Sequence, residues 1–514
     1  MSGHLFIFRG DLTKLACDGW LMPTGYELSV ESYWLNPEPE GFGQALSELY
    51  EQQGEEWRLG KKRVLPVPLW PDDRSRPWLV NILYRRMDRM IEAVEQFVET
   101  VLAQAAEPVN DRERHLLALP VISTGFGGGA KVKGQVIDTL VRDLLALVAR
   151  KNVDIALVTH TAPAFAAAQK ARMESGFDWS DLDSDFVEKA RALAQVGSDE
   201  GLALFLGAGV SCSAGLPSWN GLLSKLAEKI GIMGSELTEF ASLDVLDRGS
   251  VLERRFRARK QDVNDQIATI FSRSWDHSLL HGLLACLPAR EVITQNYDRL
   301  FEVAAEGADA PVATLPYTAG DVHNRWLLKM HGCVSRPEDI VIRREDYLRY
   351  SERRAALHGI VQATMLTRQM LFVGFSLRDG NFHRAVDDVR RALAGQRNRL
   401  GTALFLIPSA LTAELWQSEL DIVHFADRKK DEKCAARRLE IFIDCLLGHC
   451  GSNTGHLLDP TFSHLLTGPE EELKKALLGL AKELSPEARE TVAWNRVLEL
   501  MKSMGWEEPR SVSE

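Results

Sequence analysis

Residues 202–206 form an apolar run that ends directly on Gly207-Ala208-Gly209-Val210-Ser211. A short buried strand, a glycine turn and then a helix make a junction of the parallel α/β folds. The alternation recurs along the chain. Strand-like runs at 5–8, 19–22, 78–83, 117–122 and 155–159 are separated by helical patterns such as 90–104 and 135–150. Beyond residue 200, runs at 202–206, 291–294, 327–330, 370–375 and 403–407 alternate with helical patterns including 221–230 and 383–394. Short apolar runs between amphipathic segments read as strands and helices of an α/β protein.

The punctuation divides the chain. Residues 175–200 are polar, carry Asp178, Asp181, Asp183 and Asp185, hold a short helical pattern at 186–194, and end on Gly197-Ser198-Asp199-Glu200-Gly201. The expected domains are therefore 1–175, a linker at 176–200, a second α/β block at 201–455 and a helical extension at 456–514. In the extension, Gly468-Pro469-Glu470 and Ser485-Pro486-Glu487 each put Pro at a first helical position, with Ser485 a good N-cap and Gly505 a stop. Such a helical pair packs on its own domain or on a second subunit, and a homo-oligomer is the expectation.

Composition bounds the function. The chain has 514 residues, 45% of them hydrophobic and 26% charged, which is the profile of a globular protein with a large core. A net charge of −11 argues against a nucleic-acid surface as the main partner. Seven cysteines form no Cys-x-x-Cys pair and read as thiols of a reducing compartment. The start lacks a signal-peptide pattern, and no apolar run approaches the roughly 18 residues that a membrane span needs. A cytoplasmic protein with no membrane partner is expected.

Strand, Gly207-x-Gly209 and helix together can bind phosphate, because glycine lets the backbone approach it and a helix start favours negative charge. Alone this is weak evidence, since an ordinary tight turn looks the same. Further motifs accompany it: Gly215-Leu216-Pro217-Ser218-Trp219, Thr294-Gln295-Asn296-Tyr297-Asp298, Lys329-Met330-His331-Gly332 and Gly374-Phe375-Ser376. Asn296 can bind a hydroxyl or order a water without titrating, and His331 suits general-base work.

In this order the motifs resemble the NAD pocket of the sirtuin superfamily over about 250 residues. The resemblance implies a Rossmann-like domain with a parallel sheet and NAD as substrate. It makes Asn296 and His331 the catalytic pair. It assigns NAD binding to Gly207, Ala208, Gly209, Ser211, Pro217, Trp219, Thr294, Gln295, Asp298, Gly374 and Ser376. Tyr297 stands where an aliphatic residue is usual and is expected to pack under its loop. Asp298 is expected to anchor that loop, and Arg378 and Asp379 to form a local ion pair.

The departures matter as much. Sirtuin deacylases carry a zinc ribbon after the catalytic histidine, and a structural zinc site needs four ligands. Here Cys333 is followed by Val334-Ser335-Arg336-Pro337, with no further cysteine before Cys434, so no metal is expected. The segment Ser218-Trp219-Asn220 replaces the usual Asp-Phe-Arg. With Gly374-Phe375-Ser376-Leu377-Arg378-Asp379, it is similar to the zinc-free bacterial antiviral NADases. That branch implies hydrolysis of NAD to nicotinamide and ADP-ribose, with cyclisation as a side reaction, set off by a phage-derived or operon-encoded trigger. A protein deacylase or ADP-ribosyltransferase, and a non-catalytic nucleotide-binding regulator, stay open as alternatives.

The first block carries a second resemblance. Gly10-Asp11-Leu12-Thr13 before a buried strand, and Ser123-Thr124-Gly125-Phe126-Gly127-Gly128 after another, resemble macro domains, which have three layers. This implies an ADP-ribose-type effector bound by Asp11, Leu12 and residues 123–128, with Asp11 at the adenine and the loop 123–128 around the diphosphate. Met22-Pro23-Thr24-Gly25 replaces the Asn-Ala-Ala-Asn strand end, so binding is expected here and hydrolysis is not. A scaffold without a ligand is the competing reading.

Overall fold

The computed structural model describes residues 2–35, 39–82, 87–122, 133–272, 276–318, 325–393, 399–426, 428, 431–450 and 454–506. They gather into two compact units, residues 1–191 with 444–514, and residues 192–443. The macro-like loop at 123–128 lies outside the described residues.

The first unit is built on six strands: β1 (Leu5–Arg9), β2 (Gly19–Thr24), β3 (Val64–Pro66), β4 (Pro77–Asn81), β5 (Leu116–Pro120) and β6 (Asp154–Thr159). Their order is β1-β6-β5-β2-β4-β3, with every pair parallel except β3–β4. Parallel strands are covered on both faces, which is why β4 and β6 are buried at every position.

The C-terminal helices belong to this unit. Asp444 is fully buried, accepts from Arg172 at 2.7 and 3.2 Å, and faces His4 Nε2 at 2.8 Å. Burial opposes ionisation of Asp444, but Arg172 and His4 outweigh it and hold the carboxyl below its usual range. The Arg172 guanidinium also lies over Trp179 and Phe177. Further along, Lys170 pairs with Glu470 of the helix Gly468–Glu483.

The second unit has seven strands, all parallel: β7 (Leu202–Leu206), β8 (Glu291–Thr294), β9 (Ala313–Leu315), β10 (Trp326–Lys329), β11 (Gln369–Val373), β12 (Gly401–Phe405) and β13 (Leu420–His424), in the order β13-β12-β11-β7-β8-β10-β9. After β7 the chain fills one side of the sheet, then returns to β11 on the other. The topological switch point therefore lies between β7 and β11, where open α/β sheets leave a crevice at the strands' carboxyl ends. Ala203, Phe205, Ile293, Leu328 and Phe372 pack into a continuous core with residues of the flanking helices, among them Val361 and Phe382. Between β7 and β8, the helices Trp219–Lys229, Val245–Ala258 and Val263–Phe271 build a second core around Leu226, Leu252, Phe256 and Ile267.

Sequence and structure differ where strands are short or at an edge. β3 and β9 have three residues each, too few for a pattern. β13, at the sheet edge, is only partly buried. The polar stretch at 175–200 is largely one helix, Ser184–Ser198. Among the described residues no helix is long and apolar enough to cross a membrane.

Candidate functional site

Four sequence motifs end up side by side. β8 pairs with β10 so that Thr294 faces Lys329. Asn296 and His331 each lie two residues beyond that pair, so they emerge at the same level from strands that sit about 4.8 Å apart in any sheet. On the other side of β8, Leu206 faces Thr294 and Val373 faces Leu206, which places Gly207 and Gly374 one residue past the same edge. The loops after β11, β7, β8 and β10 thus form one row on four adjacent strands.

The glycines are needed where two of these loops touch. Gly207 N–H donates to Val373 O and Gly209 N–H to Gly374 O, each at 2.9 Å. A Cβ on Gly207 would lie 2.4 Å from Gly374 O. One on Gly374, at φ +63, would lie 2.5 Å from Val210 N. The N–H groups of Gly207 and Gly209 are therefore spent within the protein, and close loop packing is the first reason for glycine here.

Asn296 is half-buried and held tightly. Its Nδ2 donates to Gly207 O at 3.0 Å and to Ser211 Oγ at 2.9 Å. A carbonyl can only accept, so this contact fixes which way the amide points and leaves Oδ1 as the remaining acceptor. Ser211 Oγ in turn donates to Asp298 Oδ2 at 2.8 Å, and Asp298 Oδ1 accepts from Leu300 N–H at 3.0 Å. Asp298 anchors the loop, as expected. Thr294 Oγ1 donates to Leu206 O and accepts from Asn296 N–H. Below them lies buried Lys329, which donates to Asp298 O and sits 3.1 Å from Glu302. Burial disfavours the ammonium, but Glu302, Cys333 and Asp298 outweigh it and keep Lys329 charged.

Tyr297 packs as expected: it is buried against Trp219 and Phe271, and its hydroxyl donates to Val341 O at 2.7 Å. Trp219 opens its helix behind the N-cap Ser218. Pro217 is half-buried, while Gly209 and Ser376 are exposed at the rim.

His331 is 3% exposed. Burial pushes its pKa below the usual histidine range, Asp379 works against that, and Arg354 adds to it. The ring is therefore neutral near pH 7, the state a general base needs. Gly332, at φ +94, lets the chain turn under residues 339–340, where a Cβ would meet Asp339 O at 2.4 Å. The expected Arg378–Asp379 ion pair does not form. Arg378 is exposed, whereas Asp379 turns inward to within 3.5 Å of His331.

Several neighbours were not singled out from the sequence. Ser213 Oγ donates to Ser278 Oγ at 2.7 Å, and Ser278 Oγ meets His281 Nδ1 at 2.8 Å. Ser278 and His281 make a capping box for the helix Leu279–Ala285, and that Ser-x-x-His spacing is the signal that could have found them. Burial pushes His281 down to about 3. Tyr347 and Tyr350 stand edge-on to the His331 ring. Among the described residues, no group of three or more His, Cys, Asp or Glu could hold a metal ion.

Residues 290–422 match the family of SIR2-like domains. The second unit carries a SIR2-like domain. Related proteins include two named NAD(+) hydrolase ThsA. One, from Bacillus cereus, is 31% identical over 39% of this chain and 42% of its own length. The other, from Enterococcus faecium, is 31% identical over 41% of this chain and 42% of its own. Defense-associated sirtuin 2 of Bacillus subtilis is 25% identical over 41% of this chain and 21% of its own length. The similarity thus spans less than half of each relative. Among solved structures, a mutant macrodomain of Oceanobacillus iheyensis with ADPR is 13% identical and covers 34% of this chain and 94% of that one, at a TM-score of 0.27. The macrodomain of Mycobacterium tuberculosis DarG is 14% identical and covers 31% and 99%, at a TM-score of 0.22.

Proposed function

We propose that this protein hydrolyses NAD to nicotinamide and ADP-ribose. The observation that carries the reading is the row of loops on β11, β7, β8 and β10, which brings Gly374, Gly207, Asn296 and His331 to one edge beside the switch point. The relatives named NAD(+) hydrolase support the same reaction.

In this reading NAD lies along the crevice, with the diphosphate bordered by Ala208, Gly209 and Ser376. Pro217, Trp219 and Gln295 contribute walls to the pocket. Asn296 Oδ1 accepts from a ribose hydroxyl or from the attacking water. The bond between ribose C1′ and the nicotinamide nitrogen breaks, and its electron pair leaves with neutral nicotinamide. Water oxygen bonds to C1′ and its proton passes to neutral His331, then to solvent. Holding the ribose and the water in a reactive geometry is the larger part of the work.

An unregulated enzyme of this kind would exhaust the NAD of its own cell. The proposal therefore includes a quiescent state, controlled by an ADP-ribose-type effector at Asp11 and Leu12, with residues 1–175 sensing and 201–455 cleaving. Asp11 caps a short turn, accepting from Thr13 N–H at 2.9 Å and Thr13 Oγ1 at 2.7 Å through one oxygen. A ligand can move such an equilibrium only through different affinity for the two states. The test is chromatography of NAD incubated with the full chain, with and without ADP-ribose derivatives. Matched nicotinamide and ADP-ribose are expected, and acyl-lysine peptide added with NAD should remain acylated.

A further inference from the structure

Asp379 is a buried acid that the chemistry above does not use. It stands at the start of the helix Gly380–Ala392, where Oδ1 accepts from Phe382 N–H at 2.9 Å. That bond caps the helix and fixes the carboxylate plane. The other oxygen, Oδ2, accepts from the Tyr347 hydroxyl at 3.0 Å and lies 3.5 Å from His331 Nε2. The side chain is 8% exposed and that of His331 3%. An N-cap needs only one carboxylate oxygen. The second is held by a hydroxyl that has no other role in the cap, and it stands 3.5 Å from a buried imidazole nitrogen that makes no hydrogen bond of its own.

We propose that Asp379 is the positioning residue of His331, with Tyr347 holding its carboxylate in place so that the imidazole keeps one orientation. The inference rests on the reading of His331 as the base in NAD cleavage. A carboxylate facing Nε2 favours the tautomer with its proton there and leaves Nδ1 as the acceptor.

Among the described residues, the groups facing His331 are few. Asp379 comes from the loop after β11. Tyr347 and Tyr350 come from the short helices Arg344–Leu348 and Tyr350–Arg353, with ring centroids at 5.4 and 6.2 Å. Burial raises both phenols above their ordinary range, so they stay neutral. Arg354 donates to Met330 O at 3.3 Å and to Asp339 O at 2.7 Å. Its charge and burial both favour the neutral imidazole, and Asp379 is the carboxylate that opposes them. Without that carboxylate the base would be neutral over a wider pH range but a weaker proton acceptor.

Asp379→Asn separates charge from structure, because asparagine is as good an N-cap as aspartate. The full chain is labelled at the histidine ring carbons and titrated by NMR, with His331→Gln assigning the His331 signal. In Asp379→Asn, His331 is expected to titrate at lower pH than in the wild type. The acid limb of kcat/KM for nicotinamide release should move to lower pH with it. The plateau should fall on the order of 10-fold, a part of what a general base contributes. Tyr347→Phe keeps the charge, so its acid limb should stay above that of Asp379→Asn. An unchanged His331 titration in Asp379→Asn would overturn the pairing, as would a loss of rate with the acid limb unmoved. If His331 shifts as expected but no form releases nicotinamide, the pairing stands and the NAD reading falls.

Discussion

The Asn296 amide donates to Ser211 Oγ at 2.9 Å, and that hydroxyl passes its own hydrogen to Asp298 at 2.8 Å. One serine thus links the strand-end asparagine of β8 to the turn after β7. Ser211→Ala removes both bonds and leaves Asp298 Oδ2 unsatisfied in a buried place. A loss of about 1–3 kcal/mol in unfolding free energy is expected, together with slower NAD cleavage. Urea unfolding and an initial-rate assay check the two parts, and wild-type behaviour in both would remove Ser211 from the site.

Gly374→Ala should be worse than its size suggests. Alanine at φ +63 costs about 1–2 kcal/mol, and its Cβ would press on the backbone nitrogen of Val210. The β7 and β11 loops must then part, so weaker NAD binding is expected along with lower stability. Calorimetric titration with NAD, using His331→Ala to stop turnover, reads the affinity. An unchanged Kd in the doubly substituted chain would show that the loop contact does not shape the pocket.

Acid should destabilise the second unit through its buried histidines. His281 falls from 6.5 to about 3 on folding, and His331 is also lowered. Between pH 6.5 and about 3 the unfolded chain therefore binds more protons, and stability drops as pH falls through that window. The His281 share is on the order of a few kcal/mol once the window is crossed. His281→Gln should flatten the dependence of urea midpoint on pH between 7 and 4.5. The same slope in the variant would rule out His281 as the source.

Much of the candidate site was legible because its signals are local in sequence. A strand that ends on Gly207-x-Gly209, and the runs that end on Asn296 and His331, each carry their own punctuation. β7 and β8 fall at the residues where the apolar runs were read. What stayed hidden depends on contacts across the fold. Asp379 reads as a polar neighbour of Arg378 until the sheet brings His331 beside it. The Ser213–Ser278–His281 chain joins segments 65 residues apart at its first bond. The glycine turn could be seen to need glycine, but the reason, one loop packed on another, could not. In the first unit, Asp444 meets His4 and Arg172, and Glu470 meets Lys170, across hundreds of positions in the chain.

That pair gives a further test. Asp444→Ala leaves the Arg172 guanidinium buried beside an empty site, and breaking a buried ion pair costs about 3–5 kcal/mol. The C-terminal helices should become sensitive to proteolysis at protease levels that spare the wild type. Equal resistance in the variant would mean that the Asp444 pair does not hold the tail.

The most direct measurement is nicotinamide release from NAD by the full chain, compared with Asn296→Ala and His331→Ala, each with and without an ADP-ribose derivative. The account predicts nicotinamide and ADP-ribose in equal amounts from the wild type, with a loss on the order of 10²-fold or more in each variant. Both variants should keep the wild-type circular dichroism. Release at the wild-type rate in both variants, or none from the wild type under any condition, would contradict it.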